Sequence, residues 1–552
     1  MGEKESSSLK YPQTYIVTAA QAMQSEEHER VYGKDYMKGA PNIHLINNLD
    51  RYAQIHNAET MILQMQGMDC SEIHLHPFFE ERDDIYINKN KLSRLEMDIE
   101  RESEKVEGKM EKIEFKLEEV LDKLDKTKDK GLIKKRKELE KDLKGLKNEL
   151  ERVRGADYFN SIGIRPLNEK IVIADLIVPP QNVDPTTGRM DISQNQLGKT
   201  IIFAHSKQRW KCAPKSIGIK LPRVLITTGA ITYPNYNTTN SRGDAAFWNH
   251  KYGFVAVDVL DARRYLPRIV PAMKNGTFVD MGIEYRVGEE PKKVGVEALV
   301  LGDIHLGDHN PDTMRANYEM LEYFAPKNVF LHDALDGHSV NPHEREDTIE
   351  RAIAFREGRL DIKKEFSDAY DEFIKDMAKQ FPKTNFHFVY SNHSPDFIRR
   401  YLTECQFIYE PWNDTNFTSE LRKGLLREKN PLQRGLELIA EEGRIKMPHN
   451  VHFLSLDEGM ILKGYQLGVH GHKGINGAKG TPNGMKSGYG KIISGHTHTP
   501  EINGDAIVVG TSSNIPLKYQ EGQPGTSMPA NAVLYENGLV QLIPIIIGRW
   551  IK

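Results

Sequence analysis

Five short polar clusters, each placed directly after an apolar run, constrain this chain of 552 residues more than any other feature. Val294 to Leu301 runs into Gly302-Asp303-Ile304-His305, and Asn328 to Leu331 runs into His332-Asp333-Ala334-Leu335-Asp336. Phe386 to Tyr390 leads to Ser391-Asn392-His393, Tyr465 to Val469 to His470-Gly471-His472, and Lys491 to Ser494 to Gly495-His496-Thr497-His498. Short apolar, β-branched runs bounded by turn residues read as strands. Between them, Pro311 to Phe324, with Asn310 as its cap, and the amphipathic stretch Asp361 to Gln380 read as helices. Strand and helix alternate, and a loop at a strand end aims its side chains into a crevice.

The residue types in those clusters are carboxylate, imidazole and carboxamide, without thiolate. That donor set suits manganese, iron or zinc, and its size suits two ions rather than one. Asp303, His305, Asp333, Asn392, His470, His496 and His498 supply the side chains, and a bridging Asp333 would count for both ions. A pair of ions about 3.5–4 Å apart activates water and clamps both oxygens of an in-line phosphoryl displacement. A lone Asp-x-His or His-x-His is ordinarily a surface or core pair. Five clusters in sequence, each at a strand end, are not.

The order Asp-x-His, Asp-x-x-Asp, Asn-His, His-Gly-His and Gly-His-x-His resembles the calcineurin-like metallophosphoesterase superfamily over residues 294–515. The resemblance implies an α/β fold, a two-sheet αββα metallophosphoesterase sandwich. It is preceded here by a mixed α/β domain interrupted by a coiled-coil hairpin. It also implies that one metal takes Asp303, His305, Asp333 and His498, and the other Asp333, Asn392, His470 and His496. His393 would then donate a hydrogen bond or proton to the phosphoryl group or leaving oxygen, and Asp336 would orient His393 or bound water. Two positions depart from the family pattern. His332 stands where the family has glycine, and Ser394 stands where it has an acidic residue, which leaves Asp396 as a substitute.

The text Asp333-Ala-Leu-Asp336-Gly-His-Ser-Val-Asn-Pro342 is similar to that of the DNA double-strand-break repair nucleases of the superfamily. The whole layout is also similar to that of early DNA-degradation proteins of tailed bacteriophages. From Gly471 to Pro500 the chain carries Lys473, Lys479, Lys486 and Lys491 and no acid, and it is rich in glycine. A mobile basic loop there would contact backbone phosphates beside the scissile one. His472 and His338 are further candidate substrate contacts. The expected function is thus a deoxyribonuclease with two divalent ions, manganese first and iron or zinc as alternatives, and with DNA as its partner. A phosphatase or nucleotide phosphodiesterase on the same centre is the first alternative. A non-catalytic scaffold or inhibitor is the second.

The remainder of the chain sets the layout. Residues 89–155 lack proline, and from Val106 their apolar positions step by four and three, the seam of a coiled coil. The seam breaks at Lys126 to Gly131 and resumes at Leu132, which reads as an antiparallel hairpin and a candidate homo-oligomerisation element. Residues 11–88 and 156–290 read as one mixed α/β domain split by this hairpin, and 291–552 as the metallophosphoesterase domain. In the first domain Tyr15 to Thr18 and Asn42 to Ile46 read as strands, and Asn48 to Gln66 as a helix. Lys207-Gln-Arg-Trp-Lys211, basic and aromatic, is a candidate phosphate and base contact.

With 75 Lys and Arg against 78 Asp and Glu, the net charge of −3 excludes a globally basic nucleic-acid binder. Anionic substrate must be met by local charge or by metal. Three scattered cysteines, Cys70, Cys212 and Cys405, exclude a disulfide framework and fit a reducing compartment. No run is long enough to span a membrane, and Met1 to Lys10 lacks an apolar signal core. The expected location is the cytoplasm, that of the host if the chain is phage-encoded.

Overall fold

The computed structural model describes residues 11–22, 39–65, 75–79, 82–86, 89–124, 127, 129–160, 163–176, 178–236, 238–410, 412–413 and 415–552. Met1 to Lys10 and Cys70 lie outside them. The described residues form a mixed α/β protein with three mixed sheets. It forms two compact units, one made of residues up to 85, 166–173 and 177–552, the other of 86–165 and 174–176.

The smaller unit holds two long helices, α1 (Lys89–Leu124) and α2 (Lys130–Asn160), which lie against each other. Val106 and Val120 are buried, whereas Phe115 and Ile133 are exposed. The second helix starts on Asp129, whose Oδ1 accepts from the Gly131 amide at 2.7 Å. A short polar side chain at that place satisfies amides left over by the first turn.

In the larger unit, one six-stranded sheet is built from β1 (Val296–Val300), β2 (Asn328–Leu331), β3 (Asn385–Phe388) and Val451–Phe453, all parallel. The antiparallel hairpin Ala530–Tyr535 and Val540–Pro544 closes its other side, turning at Asn537-Gly538 with Gly538 at φ 88°. The three inner parallel strands, β1, β2 and β3, are largely buried, as strands covered on both faces must be. Helix α3 (Pro311–Phe324) starts at Asn310, whose side chain accepts from the Thr313 amide, and puts Met314, Met320, Leu321 and Phe324 into the core. The stretch expected as one helix over 361–380 begins at Asp361 as its cap. It runs from Ile362 to Ala369 and then widens into a π-helix from Tyr370 to Ala378.

A second sheet orders Ile283–Tyr285, Phe278–Asp280, Tyr265–Ala272, Tyr252–Val259, Gln13–Gln21 and Glu59–Met65. Two sequence expectations fail here. Asn42 to Ile46 is not a strand but the start of helix Ile43–His56, with Asn42 as N-cap accepting from the Leu45 amide. The expected helix from Asn48 to Gln66 stops at His56. Asn57 takes up the left-handed conformation at φ 46°, ends the helix, and releases Glu59–Met65 into the sheet beside Gln13–Gln21.

The third sheet joins the two halves of the chain. Its order includes Tyr465–Gln466, β4 (Ile492–Ser494), Ala506–Val508, Glu501–Asn503, Arg209–Ala213, Arg223–Thr227, Thr200–Phe203 and Ile171–Ala174. The join is antiparallel, with Glu501 opposite Lys211, Ile502 opposite Trp210 and Asn503 opposite Arg209. This explains the basic aromatic stretch. Trp210 is fully buried, and Arg209 pairs with Asp184 at 2.7 Å and with Glu501 at 2.7 Å. Those residues are sheet core and cross-strand ties, so the phosphate-contact expectation for Lys207 to Lys211 is corrected.

Candidate metal centre

The polar clusters sit at the carboxyl ends of strands from two sheets. Asp303 follows β1, Asp333 follows β2 and Asn392 follows β3 in the six-stranded sheet. His470 follows Tyr465–Gln466, and His496 and His498 follow β4, in the joined sheet. Backbone bonds brace each set, the His305 amide donating to the Asp333 carbonyl at 2.7 Å and the Gly495 amide to the His470 carbonyl at 2.9 Å, and a bond to a side chain ties one set to the other. The His496 amide donates to Asp303 Oδ2 at 2.7 Å. Gly495 has no room for a side chain, since a Cβ there would lie 2.1 Å from Asp303 Oδ1.

Asp303, His305, Asp333 and His498 are buried, and their ligand atoms all lie within 4.8 Å of one another. His305 Nε2 is 2.9 Å from His498 Nε2, His498 Nε2 is 3.3 Å from Asp303 Oδ2, and His305 Nε2 is 3.8 Å from Asp333 Oδ2. Around an ion with bonds of about 2.1 Å, neighbouring ligand atoms stand about 3–3.5 Å apart. Asp303 Oδ1 is buried without a hydrogen-bond partner. A cluster of this kind fits a cation. On the far side of Asp333, His470 Nε2 lies 3.1 Å from Asp333 Oδ2 and 3.2 Å from Asn392 Oδ1. The His496 ring stands 5.2 Å from that of His470. Asp333 Oδ2 therefore faces both sets, as the carboxylate of a binuclear site would.

Four of these residues have left-handed backbones: His305 at φ 51°, Asp333 at 38°, His496 at 77° and His498 at 56°. Each such conformation in a non-glycine residue costs on the order of 1–3 kcal/mol and persists where surrounding structure enforces it, commonly at functional sites.

The electrostatics are those of a site built for cations. Burial pushes Asp303 up to about 7, against His470 and with the help of the Asp333 charge. Burial alone would also raise Asp333, but the histidines around it hold it well below the usual carboxylate range. Burial would lower His305, yet the Asp336 hydrogen bond and the nearby carboxylates raise it to about 9. His496 falls to about 3, first through burial and then through His470. Bound cations would take the place of the protons held on this set.

Asp336 is the hub behind the site. Its Oδ1 lies 2.9 Å from His305 Nδ1, the carboxylate–histidine arrangement that fixes a metal-binding ring. Its Oδ2 lies 3.1 Å from His338 Nδ1, whose other nitrogen is 3.2 Å from Asp308. His393 Nδ1 donates to the Asp336 carbonyl at 2.8 Å, with the Asp336 carboxylate at 3.7 Å. Asp396 does not orient His393. It accepts from the Tyr390 hydroxyl at 2.7 Å and faces His472 at 3.6 Å and Lys473 at 3.7 Å.

The centre opens into a cavity of about 800 Å³ lined by Asp333, Asn392, His393, His496 and His498. Of the other predicted contacts, Asp336, Lys479 and His338 line it. Lys473 and His472 are turned to Asp396, and the Lys486 ammonium donates to Asn249 Oδ1 at 3.0 Å. The segment between the ligand histidines is not an open loop. It contains helix Pro482–Tyr489, capped by Thr481 and anchored by buried Met485. Asp308 and Lys518, also in the cavity wall, carried no signal in the sequence. His332 likewise went unassigned.

Comparison with known proteins gives one distant relative to report: Protein A1 of Escherichia phage T5, 26% identical over 347 residues. The match spans 60% of this chain and 60% of that protein's length. No protein-family model matches the chain, and no solved structure matches it. Among the described residues, no helix is long and apolar enough to cross a membrane.

Proposed function

We propose that this chain is a metal-dependent DNA nuclease of the metallophosphoesterase type, hydrolysing phosphodiester bonds with two divalent cations, manganese foremost. The observation that carries the reading is the shared position of Asp333, between His305 at 3.8 Å and His470 at 3.1 Å, at the floor of a wide cavity. Asp303, His305, Asp333 and His498 would hold one cation, and Asp333, Asn392, His470 and His496 the other. When bound, such a pair supplies activated water and charge neutralisation for in-line displacement.

The chain's own groups do the rest. His393 keeps its Nδ1 hydrogen on the Asp336 carbonyl, which leaves Nε2 to exchange a proton with the phosphoryl or leaving oxygen. Burial lowers the pKa of His393 despite the pull of Asp333, so its protonated form gives the proton up readily. Lys479 in the wall would meet a flanking phosphate. The cavity exceeds what one phosphomonoester fills and suits a polymer. The similarity to a phage protein is in keeping with a phage-encoded chain acting in a host cytoplasm, and on this reading the helical pair Lys89–Leu124 and Lys130–Asn160 would serve assembly of copies.

The test is cleavage of plasmid, linear and single-stranded DNA, cyclic nucleotide and nitrophenyl phosphate with manganese, for the wild type and Asp333→Asn. Cleavage of DNA, lost by at least a hundredfold in the variant, is the expected result. Strong monoester turnover with intact DNA would overturn the reading in favour of a phosphatase.

A further inference from the structure

His332 is fully buried directly before Asp333, and nothing above gives it a task. Its Nδ1 lies 3.2 Å from His470 Nδ1, with the rings tilted by 31°. Two ring nitrogens at that distance share one hydrogen. The other nitrogen of His470, Nε2, faces Asp333 Oδ2 at 3.1 Å and Asn392 Oδ1 at 3.2 Å. A cation can be held there only by a lone pair on Nε2. The hydrogen of His470 must then sit on Nδ1 and be donated to His332 Nδ1. The nearest carboxylate on that side, Asp303 Oδ1, is 3.9 Å from His470 Nδ1, beyond hydrogen-bond reach. Gly495 packs against the same ring, where a Cβ would come within 3.1 Å of His332 Cγ, so His332 has little freedom to turn away.

We propose that His332 is the positioning residue that fixes the tautomer and ring orientation of His470, and that the two cation sites are therefore unequal. The inference rests on the binuclear reading above. In the first site His305 is backed by a full carboxylate, Asp336, at 2.9 Å. In the second, His470 is backed by an uncharged imidazole whose own Nε2 is buried without a hydrogen-bond partner. A carboxylate behind a ligand histidine raises its basicity, and a neutral ring does so less. The cation held by His470 is the weaker bound of the two, and its affinity depends on His332 accepting one hydrogen bond.

The experiment is calorimetric titration of the metal-free full chain with manganese, beside His332→Phe and His332→Asn, with thermal melts of all three metal-free proteins. Asparagine keeps an acceptor near the Nδ1 position, and phenylalanine keeps only the ring. The wild type is expected to bind two ions in separable steps. His332→Phe should weaken the second step alone, by about 10–100-fold, and His332→Asn should recover most of the loss. Nitrogen-15 spectra of the histidine rings should show His470 protonated at Nδ1 in the wild type. Unchanged second-step affinity in His332→Phe, or equal loss in both variants, overturns the role of His332. A merely structural contribution would show as equal weakening of both steps with a lowered melting temperature, which also overturns it. A wild type that binds one ion or none overturns the binuclear reading, and with it this inference.

Discussion

Asp303 and Asp333 lie in one buried pocket and hold their protons very differently, one pushed up to about 7 and the other held far down. Together with His305, raised to about 9, they make cation binding a competition with protons. Groups protonated in the metal-free chain must release those protons when a cation enters. Affinity should therefore climb as pH rises towards about 9 and fall as pH drops through 7. Titrations in two buffers of different ionisation enthalpy read the protons released directly, and binding at pH 6 without proton release would contradict the arrangement. At this scale the sequence is most legible. Asp303, Asp333 and Asn392 announce themselves because each ends an apolar run, where a core residue would otherwise be expected. Asp308 and Lys518 do not, since an isolated charge in a polar loop looks the same whether or not it faces a cavity.

Among elements, the buried network around Arg268 shows how a sheet is pinned to its helix. Arg268 meets Asp258 at 2.6 Å and Asp280 at 2.7 Å. The Tyr52 hydroxyl donates to Asp280 at 2.6 Å, and Gln541 at 2.8 Å. Burial alone would raise the Asp280 carboxyl, but the Arg268 charge and the donors around it hold it below its ordinary value. A depressed carboxyl contributes stability that is present above its unfolded pKa of 3.8 and lost as pH falls through the lower folded value. Asp280→Asn, which leaves Arg268 buried without one of its partners, should cost about 3–5 kcal/mol. Urea melts at neutral pH measure this, and a loss under 1 kcal/mol would show the pair to be dispensable. The misread elements have local causes. Ile43, Ile46, Leu49 and Tyr52 recur at helical spacing behind the cap Asn42, but the β-branched start masked that pattern. Asn57 ends the helix by its left-handed backbone, a stop that no glycine or proline marks.

For the whole molecule, the sheet pairing of Arg209–Ala213 with Glu501–Asn503 was illegible, because it joins residues about 290 positions apart and no periodicity records a partner at that distance. It bears on how the protein can be divided. The strand Glu501–Asn503 starts three residues after His498, and its outer edge is satisfied only by the first half of the chain. Residues 291–552 expressed alone should aggregate or lose cation binding, because an open strand edge is a template for pairing with other chains. Mixing that fragment with a separately expressed first half should restore solubility, and a soluble, cation-binding fragment on its own would refute the dependence. Modularity is the broader casualty. A genetic exchange with its breakpoint near residue 290 would deliver the half that carries the buried Asp/His cluster without its keystone. Both halves of the joined sheet must then be supplied for either to keep that edge covered.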